Sequence, residues 1–352
     1  MIRSALQITT GLLICVSQFG TFLAAQQSTP APEAPIKVNS APRNPLAAGD
    51  ASAKSRRSDV SLVKLHRKPL TIYSNAAAGC SIWEFWARGV QFINDCDYRR
   101  QMQAAFYPHH SNSALGEAGD QFGTRDIPVA ARHPSPCASI QTQGRTQTSL
   151  AIPLEWNPQH FGGGKDTAIL YPNTRIGKSI TLDWVGPDGK DRNWPLALYE
   201  TIVQSPAECI AVVEAPTGYL NQQFNRYYTY DPISKALTPY SAASIRAANP
   251  DHVFNPPLPR GPQAVILASG TGSDALAMGV YINDLYSGFV FVDNSDTNSG
   301  GQYGSGFTKW EVHYDGGLPR GEWRYKTWIA ADSVKNLMAD FDQLYAWRVK
   351  SR

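Results

Sequence analysis

From about residue 60 onward the chain alternates short apolar or alternating runs with turns, the pattern of β-strands. Runs that read as strands are Leu70–Tyr73, Ser81–Trp86, Thr167–Leu170, Ser179–Val185, Leu196–Val203 and Cys209–Glu214. Ala264–Ala268, Leu276–Ile282, Gly288–Val292, Lys309–Tyr314 and Arg324–Ala331 follow. Pro187-Asp188-Gly189-Lys190 carries the turn chemistry of a β-hairpin between two of these runs. One segment departs from the pattern. From Ser333 to about Tyr345, apolar residues fall at Val334, Leu337, Met338, Phe341 and Leu344, one face of an amphipathic helix that Asp332 or Ser333 can cap. Closely spaced strands with a single terminal helix predict an all-β fold, a large antiparallel β-sandwich with a C-terminal amphipathic helix, over a βαβ arrangement. No internal repeat is visible, which argues against a propeller.

The N-terminal part is different. Residues 1–25 place Arg3 before a mostly apolar stretch that ends in Ala24-Ala25, the outline of a secretory signal peptide, with an uncleaved anchor as the alternative. Residues 26–58 hold five prolines among many Ala and Ser and show no periodicity, so they read as a disordered tether. Residues 59–352 are expected to form a single β-sandwich domain. No later run approaches the roughly 18 apolar residues of a membrane span, and a secreted or periplasmic location is expected. Cys80, Cys96, Cys137 and Cys209 then remain. An even count in an exported chain predicts one or two disulfides, with three pairings open.

Composition narrows the function classes. Aromatic residues make up 11% of the chain, which excludes general disorder despite only 17% charged residues. Lys and Arg exceed Asp and Glu by a net charge of +3, too little for a dedicated nucleic-acid binder. Familiar chemical motifs fail. Gly162-Gly163-Gly164-Lys165 lacks the Ser or Thr and the first Gly of a phosphate loop, and Gly270-Thr271-Gly272 is too short for a dinucleotide fingerprint. No G-x-S-x-G occurs. His109-His110 has no third ligand at metal spacing, and the run from Asp293 to Asn298 lacks the Gly and terminal Glu of an EF-hand loop. No metal or cofactor is expected.

The densest polar chemistry lies in Ile93-Asn94-Asp95-Cys96-Asp97-Tyr98-Arg99-Arg100-Gln101-Met102-Gln103, followed by Gly116-Glu117-Ala118-Gly119-Asp120. Carboxylates, guanidinium groups and amides packed this closely can satisfy one another or the vicinal hydroxyls of a sugar. Trp83, Trp86, Tyr98, Tyr107 and Phe122 supply aromatic faces nearby.

These stretches, with Glu214-Ala215-Pro216-Thr217-Gly218-Tyr219-Leu220 and Ala277-Met278-Gly279-Val280-Tyr281, resemble an uncharacterised family of exported β-rich bacterial proteins. Its pattern runs I-N-x-x-D-Y-G-R-Q-I-Q, N-P-T-E-A-G-D, T-G-Y and A-M-G-V-Y. Arg99 stands where that pattern has Gly, and Ala114-Leu115-Gly116 replaces Asn-Pro-Thr. More loosely, the order of elements is similar to the supersandwich of galactose mutarotase-like carbohydrate enzymes.

Residues and resemblance together point to an exported carbohydrate-active protein, glycoside-cleaving or sugar-modifying, with a glycan as its ligand. Glycoside cleavage uses paired carboxylates. The catalytic candidates are Asp97, Glu117, Asp120 and Glu214, and the substrate-binding candidates are Arg100, Gln103, Tyr98, Trp83 and Tyr219. Hydrolase-, lyase- and epimerase-like activities all remain open. The alternative is a non-catalytic glycan-binding or cell-envelope protein in which the polar cluster is structural.

Overall fold

A computed structural model describes residues 61–94, 101–108, 115–116, 135–155, 173–205, 210–248, 253–254, 262–283, 287–295, 306–318 and 320–349. Strands dominate, and the described ones pair antiparallel into two sheets. The first runs β1 (Leu62–Arg67), β2 (Leu70–Asn75), β3 (Ser81–Ala87), β5 (Met102–Pro108), β12 (Ile210–Asn221), β19 (Phe307–Leu318), β18 (Ser287–Asn294) and β15 (Val253–Phe254). Short strands β4 (Val90–Gln91), β6 (Leu115–Gly116) and β9 (Leu154–Glu155) flank it. The second sheet runs β14 (Ala236–Tyr240), β13 (Arg226–Asp231), β16 (Gln263–Ala268), β17 (Leu276–Ile282), β20 (Gly321–Ser333), β11 (Leu196–Ser205), β10 (Arg175–Leu182), β8 (Thr146–Ala151) and β7 (Cys137–Gln143). The helices are α1 (Ala242–Ala248) and α2 (Val334–Ala346). The predicted antiparallel β-sandwich with a C-terminal helix is therefore the observed fold.

The two sheets meet through one shared core. Ile72, Phe85, Phe106, Trp310 and Tyr314 of the first sheet are buried in one cluster with Ile176, Tyr199, Val265, Val280 and Ile329 of the second. Period-2 alternation sends every second side chain of these strands inward. Close packing fixes their depth: a Cβ on Gly218 would lie 2.5 Å from the Trp310 ring, so the indole lies directly on the β12 backbone.

The second sheet also buries its outer face. Val334, Leu337, Phe341 and Leu344 of α2 pack on Leu196, Tyr230, Ile266, Ala277, Tyr281 and Trp328. Each such apolar side chain contributes about 1.5–3 kcal/mol on burial. Gly279 lets the helix approach, because a Cβ there would meet Phe341 at 2.6 Å. Ser333 is the N-cap residue but makes no side-chain capping bond. Asp332 instead accepts hydrogen bonds from the Ser333 backbone N–H (2.7 Å) and from Asn336 Nδ2 (3.0 Å) and pairs with Arg88 (2.6 Å).

One margin of the sandwich is cross-linked. The Cys80–Cys137 disulfide joins the turn before β3 to β7, one of the three pairings left open by the sequence, while Cys96 and Cys209 lie outside the described residues. Ser74 Oγ donates to Gln147 Oε1 (2.5 Å), and Arg67 pairs with Asp183 (3.1 Å) and with Asp191. Loss of the bridge, which spans 57 residues of sequence, is expected to cost about 4 kcal/mol. A Cys80→Ser/Cys137→Ser variant should melt at a clearly lower temperature, and adding reductant to the wild type should produce the same loss.

Asp340 on α2 has a buried carboxylate oxygen with no hydrogen-bond partner among the described residues. Burial, with the neighbouring charge of Asp332, pushes its carboxyl up to about 7. The folded state then holds a proton that the unfolded chain releases above the ordinary aspartate range, so this group's stabilising contribution declines as pH rises from about 4 to 7. Asp340→Asn removes that decline. The difference in Tm between variant and wild type should be small near pH 4, grow through neutrality and then level off.

Candidate functional site

The side chains of the first sheet that do not face the core form the candidate site. On β19, Trp310, Val312 and Tyr314 point into the core, so Lys309, Glu311 and His313 share the opposite face. The neighbouring β12 matches them through an irregularity. Its register with β19 pairs Glu214 with His313, shifts across Ala215 and the cis-linked Pro216, and resumes with Thr217 opposite Glu311 and Tyr219 opposite Lys309. The same shift occurs against β5, where Ala105 faces Glu214 and Gln103 faces Thr217. This β-bulge puts Glu214 and Thr217, three positions apart, onto one face.

The resulting cluster is charged and largely shielded. Glu214 is 4% exposed, and Glu311 and Lys309 are each 8% exposed. One Glu311 oxygen pairs with the Lys309 ammonium, and the other lies 2.7 Å from His313 Nε2. Lys309 Nζ also sits 4.8 Å over the Tyr219 ring, which tilts against Phe307 at 5.2 Å. Tyr219, Phe307, Val290 and Val292 make a small apolar patch beside the charges.

The ionisation states follow from these contacts. Burial opposes the Glu311 carboxylate, but Lys309 and His313 overcome it and hold the carboxyl at about 2. Burial likewise opposes protonated His313, yet the charge and hydrogen bond of Glu311, helped by the charge of Glu214, raise its pKa above the ordinary imidazole value. Lys309 is raised too: the negative charges of Glu311 and Glu214 outweigh its burial. Glu311 thus stays ionised at any neutral pH and fixes one ring nitrogen of His313. The imidazole side chain is 26% exposed, the most accessible ionisable part of the group.

Glu214, Glu311 and His313 also bring three ligand atoms within 4.8 Å of one another, a donor set that could hold a divalent cation. A cation there would have to displace the Lys309 ammonium from Glu311 and compete with the proton on His313. The internal ammonium already compensates the carboxylate.

Among the residues singled out from sequence, Glu214, Gln103 and Tyr219 share this face. Trp83 is buried on β3, at a register shift against β2, and β5 stands between β3 and β12. Asp97, Tyr98, Arg100, Glu117 and Asp120 lie outside the described residues. Lys309, Glu311 and His313 were read only as part of a strand. Their signal was the alternation of Lys309-Trp310-Glu311-Val312-His313-Tyr314, in which three ionisable groups occupy one face of a strand whose other face carries Trp310, Val312 and Tyr314.

Neither a protein-family model nor a curated protein sequence matches the chain. Several solved structures are similar to it at low identity. A candidate aldose 1-epimerase from Escherichia coli K12 aligns at 10% identity over 78% of this chain and 99% of its own, with a TM-score of 0.41. A galactose mutarotase-like protein from Clostridium acetobutylicum aligns at 7% identity over 78% and 99%, with a TM-score of 0.36. An alpha-mannosidase from Enterococcus faecalis aligns at 8% identity over 81% of this chain and 31% of its own, with a TM-score of 0.43.

The electrostatic account has a direct check. Glu311→Gln removes the charge that holds the proton on His313, so the imidazole pKa, followed by NMR titration, should fall relative to the wild type. An unchanged titration in a folded variant would show that His313 is tuned by something else.

Proposed function

We propose that the protein modifies a carbohydrate by general acid–base chemistry at the Glu214–Glu311–His313–Lys309 cluster. One observation carries the reading: the imidazole of His313, whose protonated form Glu311 favours, and the carboxyl of Glu214 face each other on paired strands, while a second carboxyl, Glu311, is locked in its ionised form. Two-carboxylate glycoside cleavage needs one carboxyl to arrive protonated. Glu311, held at about 2, cannot be that acid. His313 can, and Glu214 opposite it is the base.

This pair suits ring opening at the anomeric carbon of an aldose. Glu214 takes the proton of the anomeric hydroxyl as the bond from that carbon to the ring oxygen breaks, and His313 gives its proton to the ring oxygen. The carbonyl form then closes again, with the two groups exchanging protons in reverse, to give either anomer. Glu311 keeps the imidazole charged and oriented, Lys309 holds Glu311 in its ionised form, and the buried rings of Tyr219 and Phe307 pack beside the Lys309 ammonium. Similarity to sugar-handling structures agrees with a carbohydrate substrate but does not bear its weight. We further propose that the protein works outside the cytoplasm, supported by the signal-peptide outline of residues 1–25 and by a disulfide, which persists in oxidising compartments.

Freshly dissolved α-anomers of glucose, galactose and other aldoses, followed by polarimetry or proton NMR, test the reading. The wild type should accelerate equilibration, and Glu214→Gln or His313→Asn should lower kcat about a hundredfold or more, with melting temperatures confirming folding. The rate should also fall as pH rises through the elevated pKa of His313. Release of reducing ends from polysaccharides without anomer exchange would replace ring opening by hydrolysis. No effect on any sugar would overturn the enzymatic reading.

A further inference from the structure

The first sheet carries a second feature on the face that bears the acid–base cluster. Outward-facing residues of β1, β2 and β3 line a groove of about 600 Å³, within the size range of small-ligand sites. Strand register arranges them in two rows: Lys64, Tyr73 and Glu84 form one, and His66, Thr71 and Trp86 the other. Their inward neighbours Leu65, Ile72 and Phe85 lie in the main core, which fixes the direction of both rows.

The groove combines aromatic faces with held polar atoms. Trp86 Nε1 donates to Glu84 Oε2 (2.7 Å), so a half-buried indole is anchored at its polar edge. His66 Nδ1 and Thr71 Oγ1 are 2.7 Å apart, and Lys64 Nζ lies 5.8 Å from the Tyr73 ring centroid. Both signs of charge are present, so the groove does not select a strongly ionic ligand. Flat C–H faces bordered by hydroxyls match this mixture, and sugar rings have that form.

The groove lies on the same sheet face as the cluster but further along the strands: Trp86 is about 23 Å, and Glu84 about 16 Å, from the level of Glu214. β4 pairs with β3, and the chain just after it reaches β12: Ile93 bridges Leu220, and the Asn94 N–H donates to the Tyr219 carbonyl at 2.9 Å. β3 and β12 are thus two strand spacings apart at this level, about 10 Å. Tyr219 and Lys309 form the end of the cluster on that side.

We propose that the β1–β3 groove is a distal sugar subsite, so that the substrate is an oligosaccharide whose reducing-end ring lies at Glu214 and His313. This deepens the acid–base reading and rests on it. A chain of about five or six rings running obliquely along the strands would stack a ring on Trp86 or Tyr73 while its terminal ring meets the cluster. The groove sets chain-length preference, and the cluster performs the chemistry.

Two measurements on the full chain separate the claims. Anomer exchange is followed for glucose and for the maltose and cellobiose series up to the hexaoses, and binding of maltotetraose and cellotetraose is measured by calorimetry. In the wild type one series should show kcat/KM rising about tenfold between the trimer and the hexamer, the scale of one good stacking contact. Trp86→Ala should bring that ratio to about one and weaken tetraose binding by a similar factor. Thr71→Trp, which fills the groove without emptying it, should do the same and guards against misfolding of the first variant. Glu214→Gln should abolish exchange yet still bind the tetraose.

A flat length dependence, or a length dependence that survives both groove variants, overturns the subsite and leaves the acid–base reading standing. Tetraose binding sensitive to Trp86 but without exchange of any sugar overturns the acid–base reading and leaves the groove as a binding site. If neither tetraose binds and none of the oligomers reacts, the subsite fails.

Discussion

A β-strand presents its side chains alternately to two sides, and β19 uses both sides fully. Trp310, Val312 and Tyr314 are committed to the core between the sheets. Lys309, Glu311 and His313 are thereby committed to the other face. A slip of one residue would drive three ionisable groups into the core and expose two large aromatic rings, so the packing that stabilises the sandwich also holds the charged array in place. The indole of Trp310 lying on Gly218 sets the depth of β12 against β19, and the bulge after Glu214 sets which β12 side chains meet the charges.

The array tolerates its burial because it is internally compensated. An isolated carboxylate at this depth would take up a proton, and an isolated ammonium would lose one. Here Glu311 accepts from two cationic partners, and Lys309 gains the face of Tyr219 as well as its carboxylate. What is left adjustable is the proton on His313, because within the cluster that side chain alone has partial solvent access. The chemistry assigned to the site depends on this asymmetry between a locked carboxylate and an exchangeable imidazole.

Much of the architecture was legible in the chain. Apolar or alternating runs such as Leu196–Val203 and Leu276–Ile282 gave strands, and the 3–4 spacing of Val334, Leu337, Phe341 and Leu344 gave the helix. The capping detail differed in part, since Asp332 accepts from the Ser333 N–H, the first helical N–H of Val334 donates to the Ala275 carbonyl, and Ser333 makes no side-chain bond. The site was legible only in fragments. Glu214, Gln103 and Tyr219 were found through local motifs, but the partners of Glu214 lie about a hundred residues downstream. Only strand pairing brings them together, and density of polar residues along the chain, which favoured residues 93–103, carries no information about such pairing. The bulge hides the match further, because Glu214 and Thr217 do not have the even spacing of residues sharing a strand face.

The cross-linked margin of the sandwich has a consequence for how the molecule behaves in a crowd. β1 ends the first sheet and β7 ends the second, and terminal strands with unsatisfied backbone groups invite pairing with other chains. The Cys80–Cys137 bridge, the Ser74–Gln147 bond and the Arg67 ion pairs draw these two borders together. A strand from another molecule seeking to extend either sheet there would meet a covalent seam and a ring of fixed charges, so the same bridge that stabilises the fold also discourages it from becoming the seed of an aggregate.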